Sequence, residues 1–407
     1  MKEKLVVIGN GMAGMRAVEE LLQSAPDEFD ITVFGAEPHG NYNRIMLTPV
    51  LYGAKSLKDI MIHDHEWYKT NHITLHCGAG KKVIDVDRKK RHVVSEDGTQ
   101  TQYDRLLIAT GSSPYMVPIP GNDSEGVMGF RDIADVEAMI AKAETKQHAV
   151  VLGGGLLGLE AAHGLMKRGM DVTVVHRGNK LLSLQLDGAA AEMLKSELEQ
   201  SGLTIQLGIS IKEIISQDGH ITRVILDDGS ELPADILIMA TGVRPNKQLA
   251  EKIGLHCEKG IIVNDTMQTY DPRIYAVGEC VQHRGALFGL VAPVYEQAKV
   301  CANHLAEHGA AGYKTLTSAT ILKVTGIDLF SAGNFLGDES TEEITFRDYG
   351  LGIYRKIVLK DNKIVGIVMY GDTSDNAWYL TLLKENRDIS SIRDQLIFGQ
   401  QEFAAAA

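Results

Sequence analysis

Two stretches of the chain carry the same order of apolar and polar positions. The first runs through Leu5-Val6-Val7-Ile8, a glycine-rich turn, a segment with small residues early and leucines later, and then Ile31-Thr32-Val33-Phe34. The second runs through Ala149-Val150-Val151-Leu152, another glycine-rich turn, a segment containing Ala161-Ala162, and then Val172-Thr173-Val174-Val175. Unbroken apolar runs suit strands buried on both faces of a parallel sheet, whereas alternation suits strands with one wet face. Each stretch is therefore predicted as a βαβ unit: strand, turn, helix, second strand.

The surroundings of the two units also match. After the first come short strands near 73–75, 82–86 and 91–95, a hairpin turn at Asp97-Gly98, and a buried strand in YDRLLIATGSSP. After the second come strands near 204–207, 213–216 and 224–226, a turn at Asp228-Gly229, and ADILIMATGVRPN. Ala-Thr-Gly followed by a proline thus occurs twice, an internal repeat that predicts two homologous domains. From about Leu316 the texture changes. GIYRKIVLK and KIVGIVMYG, joined at Asp361-Asn362, read as a β-hairpin, and a terminal helix is expected near 376–384. The fold class expected is α/β: two Rossmann-like dinucleotide-binding domains plus a small C-terminal α+β domain. The boundaries are 1–115 with 245–315, then 116–244, then 316–400. A chain of 407 residues exceeds the roughly 250–300 that a single core serves.

Composition narrows the partners. The formal net charge is −12 and no basic block is present, which disfavours nucleic acid. The four cysteines, Cys77, Cys257, Cys280 and Cys301, form no C-x-x-C pair, so neither a zinc site, an iron–sulfur site nor a dithiol is expected. Reduced thiols, no secretory leader pattern and no apolar run near 18 residues predict a cytoplasmic protein away from membranes. His63 and His65 flank Asp64 with no third ligand in view, which reads as a surface loop and no metal. Glu402-Phe403 and the four terminal alanines look vector-derived. Residues 401–407 are set aside as a tail, which leaves room for the natural chain to continue beyond Gln400.

Gly9-Asn10-Gly11-Met12-Ala13-Gly14 fits G-x-G-x-x-G between a strand and a helix. Gly9 permits the tight turn, Gly11 lets backbone approach a pyrophosphate, and Gly14 lets helix and strand pack closely. The helix N-terminus offers N–H groups to the phosphates, and Glu37 stands where an acid binds a ribose diol. Gly153-Gly154-Gly155-Leu156-Leu157-Gly158 repeats the pattern. There His176-Arg177 replace the acid. Arg177 would pair with a 2′-phosphate and favour NADPH; a solvated surface arginine is the alternative, so NADH versus NADPH stays open. Two dinucleotides in one chain suit FAD followed by NAD(P)H, with the rings stacked between domains. A flavin accepts the hydride of a nicotinamide and releases single electrons.

GNGMAG, FGAEPHGNYNRIML, GGGLLGLEAA, IYAVGEC and GLVAPVYEQAKV occur together here. On these, over residues 3–400, the chain resembles two-dinucleotide-binding-domain flavoproteins. It looks most like the FAD/NAD(P)H module of assimilatory nitrite reductase large subunits and nitrate reductase electron-transfer subunits; rubredoxin reductases and NADH oxidases share the scaffold. The resemblance implies that the first turn and Glu37 hold the adenosine half of FAD, with Arg44 nearby. It implies that Val83 and Ala109-Thr110-Gly111 line FAD, and that Glu279 after Gly278 binds the ribityl chain, where relatives carry Asp. Leu290-Val291-Ala292-Pro293 and Glu296 would sit at the flavin ring, a helix N-terminus toward reduced flavin. Gly242 belongs with the NAD(P)H set, and Glu160 resembles the acid that approaches nicotinamide. Glu160, Arg44 and 290–296 are the candidates for the reaction itself, which needs positioning rather than an acid–base triad. Relatives place a redox cysteine or a lysine where Leu47-Thr48-Pro49 stands, so thiol-based peroxidase or oxidase chemistry is disfavoured. The electron acceptor expected is an iron–sulfur/sirohaem domain downstream or a separate redox protein, the alternative being a free-standing rubredoxin- or ferredoxin-type reductase; a homodimer is left open.

Overall fold

The structure is a computed structural model that describes residues 2–307, 309, 311–314, 319–324 and 326–400. The set-aside tail and the expected boundary at 315/316 lie outside the described residues. The chain forms two compact units: Met1–Pro114, Arg131–Ile133 and Val243–Leu316 in one, and Tyr115–Phe130, Ala134–Gly242 and Thr317–Ala407 in the other.

In the first unit a parallel sheet has the order Ile274–Ala276, Arg105–Ile108, Glu3–Ile8, Phe29–Gly35, Thr74–Cys77. Leu5 to Ile8 are buried along their length, as strands covered on both faces require. The helix Met12–Ser24 buries Gly14, Ala17, Val18 and Leu21, one stripe at helical spacing, and packs against the helix Val291–Leu305. The strands expected near 82–86 and 91–95 appear as Val83–Asp87 and His92–Ser95 in an antiparallel meander.

The second unit holds a parallel sheet ordered Val127–Met128, Ile236–Met239, His148–Leu152, Asp171–His176, Thr204–Leu207. It also holds an antiparallel sheet ordered Ala319–Val324, Ile327–Gly333, Lys363–Tyr370, Ile353–Lys360, Glu342–Asp348. The Asp361-Asn362 hairpin has φ of +49° and +52° at its two turn residues, the geometry of a two-residue type I′ turn. The helix Asn376–Lys384 lies on this sheet. The Tyr354 hydroxyl donates to Asp187 Oδ2 at 2.6 Å, and the Tyr370 hydroxyl to Glu197 Oε2 at 2.5 Å. Asp187 and Glu197 lie at the N-cap and within the helix Gly188–Gln200. Two phenols thus tie the C-terminal sheet to the second nucleotide-type domain.

One expectation is corrected. His63 does not lie in a surface loop: it ends the strand Met61–His63 and is 8% exposed. Its Nε2 sits 2.5 Å from Glu19 Oε1, and its ring stacks on Trp67 with centroids 3.7 Å apart. Asp64 caps the helix His65–Thr70 by accepting from the Trp67 N–H at 3.0 Å. The His-Asp-His run is a strand end joined to a helix cap, and long-range packing on Glu19 buries its first histidine. Among the described residues no helix is long and apolar enough to cross a membrane.

Candidate functional site

Both glycine turns need glycine for steric reasons. Gly9 has φ +116°, and a Cβ there would lie 2.1 Å from the Ala109 carbonyl oxygen. Gly153 has φ +129°, with the Ala240 carbonyl oxygen 2.3 Å from the same position. The third glycines, Gly14 and Gly158, would place a Cβ 2.8 and 2.0 Å from the carbonyl oxygens of Gly9 and Gly153. These positions close strand onto helix.

The middle glycines differ: a Cβ at Gly11 or Gly155 would meet nothing within 4 Å. Each is the N-cap of its helix and supplies no side-chain hydrogen bond. The helices at Asp64 and Asp187, by contrast, are capped by carboxylates. An α-helix begins with N–H groups that need acceptors, so two uncapped starts with open space before them fit pyrophosphate oxygens. Met12-Ala13 and Leu156-Leu157 open those two helices.

In the first unit a chain of polar contacts runs beside the turn. Glu37 accepts from the Tyr42 hydroxyl at 2.6 Å and is ion-paired with Arg44. Arg44 Nη1 donates to the Arg131 carbonyl oxygen at 3.0 Å. The Arg131 side chain pairs with Glu279, which also accepts from Ser112 Oγ at 3.0 Å. Burial opposes the charge on Arg44, but Tyr42 and Glu37 outweigh it and raise its pKa. Burial pushes the Tyr42 phenol well up; Arg44 opposes that shift and Glu37 adds to it. Arg44 is therefore a fixed cation.

The Ala109-Thr110-Gly111 turn is pinned by Asn246, which donates to the Thr110 carbonyl at 2.9 Å and whose own carbonyl accepts from Thr110 Oγ1 at 2.7 Å. Gly278 has φ +93° and sits 2.9 Å, measured to its Cβ position, from Ala13 Cβ. Its N–H donates to Gln297 Oε1 at 2.9 Å. That bond ties the Gly278-Glu279 step to the helix Val291–Leu305, whose N-cap Leu290 makes no side-chain capping bond. Leu290, Val291, Ala292 and Pro293 are half-buried or exposed. Glu296 pairs with Lys299 at 2.8 Å on the helix surface, and Val83 is 6% exposed at the start of its strand.

The structure thus brings Gly9, Gly11, Gly14, Glu37, Arg44, Ala109, Gly111, Gly278 and Glu279 into one unit. The sequence reading missed Arg131, Asn246 and Gln297. Arg131 stands in a short stretch with no periodicity, and only its return to the first unit reveals it.

The second site collects Gly153, Gly155, Gly158, half-buried Glu160, His176, Arg177 and Gly242. Gly242 has φ +117°. A Cβ on Gly154 would lie 2.9 Å from the His176 ring, and a Cβ on Gly178 would lie 2.7 Å from His176 Nε2. The imidazole is therefore seated between these two glycines.

All four cysteines are free, and Cys280 and Cys301 are fully buried. Burial pushes the Cys280 thiol up, away from the thiolate that redox chemistry needs. Pro49 sits inside the helix Leu47–Leu51. His283, also buried, has Nε2 2.8 Å from Asp265 Oδ1. Among the described residues no group of three or more His, Cys, Asp or Glu could hold a metal ion.

One parallel-sheet domain with an open glycine cradle in each unit defines an oxidoreductase scaffold for two dinucleotides. The chain belongs to the pyridine nucleotide-disulphide oxidoreductase family, whose profile matches residues 3–304. Residues 319–387 match the rubredoxin NAD+ reductase C-terminal domain. Members of the family bind FAD and NAD(P)H. A nitrite reductase [NAD(P)H] of Bacillus subtilis (strain 168) is 47% identical over 389 residues, which cover 96% of this chain and 48% of that protein. An assimilatory nitrate reductase electron transfer subunit of the same organism is 46% identical over 398 residues, 97% of this chain and 51% of that protein. The chain spans about half the length of these relatives. The solved NADH:rubredoxin oxidoreductase from Clostridium acetobutylicum shares the fold, with a TM-score of 0.81, 24% identity and 100% of both chains covered.

Proposed function

We propose that the first unit binds FAD, that the second binds NAD(P)H, and that the chain is the electron-input module of nitrite or nitrate assimilation in the cytoplasm. The observation that carries this reading is the pair of uncapped, Cβ-free helix starts at Gly11 and Gly155. Gly9, Gly11 and Gly14 would receive the FAD pyrophosphate at the helix N-terminus. Glu37 and Arg44 would serve the adenosine end, with Ala109-Thr110-Gly111 and Val83 alongside. Glu279, steered by Arg131, would meet the ribityl hydroxyls, and the helix start at 290–293 with Glu296 would face the ring. Gly153, Gly155 and Gly158 with Leu156, Leu157 and Gly242 would hold the nicotinamide nucleotide, and Glu160 would orient its reacting ring.

Bound flavin supplies the two-electron to one-electron conversion. The chain's own residues bind, orient and exclude water. Cys280 and Cys301 are buried with their thiols pushed up, Cys77 and Cys257 are half-buried and pushed up likewise, and a proline stands inside Leu47–Leu51, so the electrons would go to an acceptor other than a dithiol. Relatives of about twice this length, named as a nitrite reductase [NAD(P)H] and a nitrate reductase electron transfer subunit, support such an acceptor, for which an iron–sulfur/sirohaem centre is the reading proposed.

The test is anaerobic mixing of the FAD-loaded chain with NADH and NADPH. Bleaching of the flavin, reduction of ferricyanide and no consumption of nitrite by this chain alone are expected. A chain that stays oxidised with both nucleotides, or that consumes nitrite unaided, overturns the reading. Equally fast reduction of rubredoxin would favour a free-standing reductase.

A further inference from the structure

The two βαβ units can be aligned by their own hydrogen bonds. Gly9 N–H donates to the Phe34 carbonyl and Gly153 N–H to the Val175 carbonyl, and the strand registers pair Ile8 with Phe34 and Leu152 with Val175. Phe34 thus corresponds to Val175, Gly35 to His176, Ala36 to Arg177 and Glu37 to Gly178. The carboxylate of the first unit has no counterpart. No Asp or Glu occurs between Asp171 and Asp187. Asp187 is committed: 7% exposed, it caps its helix and accepts from Tyr354.

What stands there instead is cationic. Arg177 is exposed and has no ion pair among the described residues. Lys180 donates to the Leu186 carbonyl at 3.2 Å and lines a cavity of about 380 Å³ together with Glu192. His176 lies between the phosphate turn at Gly154 and the position equivalent to Glu37. Carboxylate there would bind a ribose diol and repel phosphate; a cation does the reverse.

We propose that His176 and Arg177 form a 2′-phosphate-binding pair, that the chain takes NADPH in preference to NADH, and that His176 gains a proton when the phosphate binds. The inference rests on the second glycine turn binding NAD(P)H. Burial, with Arg177 adding to it, lowers the His176 pKa, against a hydrogen bond to the Lys180 backbone that raises it. The charge that acts on the ring is Arg177, from its own loop, while Lys180 acts through its backbone; Glu192, on the helix Gly188–Gln200, lines the cavity with Gly178 and Lys180. The free ring is therefore neutral near pH 7, and a phosphate dianion beside it favours the imidazolium. Since binding raises this pKa, the added affinity for NADPH is present at lower pH and is lost as pH rises through the bound-state value. Below about pH 6 protonation of the phosphate itself works against it.

The FAD-loaded chain is assayed with each nucleotide and ferricyanide. NADPH is expected to have a kcat/KM about tenfold or more above NADH, and that ratio to shrink about threefold or more between about pH 6.5 and about pH 8.5. Arg177→Ala lowers kcat/KM for NADPH by about 10- to 100-fold and leaves NADH within about twofold. His176→Gln keeps a hydrogen-bonding side chain and abolishes the pH dependence of the ratio. A preference for NADH, an equal loss with both nucleotides in Arg177→Ala, or a pH slope that survives His176→Gln overturns the inference. Failure of both nucleotides to bleach the flavin instead overturns the NAD(P)H reading beneath it.

Discussion

The two glycine turns solve one steric problem with opposite choices of size. In the first unit Gly35 ends the strand, and a Cβ there would lie 2.9 Å from Asn10 Cβ. In the second unit the turn carries Gly154 where the first carries Asn10, and the strand ends in His176, whose ring lies 2.9 Å from the Gly154 Cβ position. One contact point accepts one side chain, and the first unit fills it from the turn, the second from the end of the strand. The consequence is chemical. Asn10 faces its own unit, donating to the His39 carbonyl at 3.1 Å and accepting from the Tyr68 hydroxyl at 2.6 Å. In the second unit the same space holds an imidazole next to Arg177. The first unit also surrounds its turn with ion pairs, Glu37–Arg44 and Arg131–Glu279, whereas Arg177 in the second has no such partner among the described residues. The first site thus has its charges paired within the protein, whereas the second leaves a cation for a ligand under the reading proposed above.

The comparison breaks most sharply at the middle glycines. Gly11→Asp adds no clash, because nothing lies within 4 Å of its Cβ position, but sets a carboxylate before the helix start. It should cost about 100-fold or more in FAD affinity and yield colourless protein, read as flavin absorbance per chain. Gly155→Asp should keep the flavin and lose its reduction by NAD(P)H by a similar factor. Loss of colour in both variants would mean that the units do not divide the two nucleotides.

A smaller effect tests the prepaired charges. Glu279→Gln removes the ion pair with Arg131 while keeping the hydrogen-bonding shape, and should weaken FAD binding about tenfold with little change in nucleotide affinity. Fluorescence on flavin release would measure it, and an unchanged affinity would make the pair structural only.

The smallest effect concerns size. Gly154→Ala pushes on Leu181 Cδ2 and the His176 ring at 2.8 and 2.9 Å, both side-chain atoms that can shift. A loss of about 1–2 kcal/mol is expected in thermal or urea unfolding. Adding His176→Ala should recover about 1 kcal/mol of it, as a coupled pair would. Additive losses would show that the two residues do not share the space.

Both βαβ units, the C-terminal hairpin with its Asp361-Asn362 turn and the terminal helix at 376–384 were legible in the residue order. Apolar period, glycine spacing and turn chemistry act over a few residues, so they need no knowledge of the rest of the chain. The same holds for the absent acid at His176-Arg177. The Arg131–Glu279 pair, the Asn246 and Gln297 contacts, the burial of His63 on Glu19 and the phenol contacts from Tyr354 and Tyr370 were not legible. Their partners lie 19 to 173 positions apart in sequence, and each contact exists only because sheet and helix packing bring distant segments together. Local pattern thus determined what kind of nucleotide loops the chain has. Tertiary structure decided which charges around those loops are already satisfied and which remain for a ligand, since the free energy of a charge is set by its neighbours in space rather than in sequence.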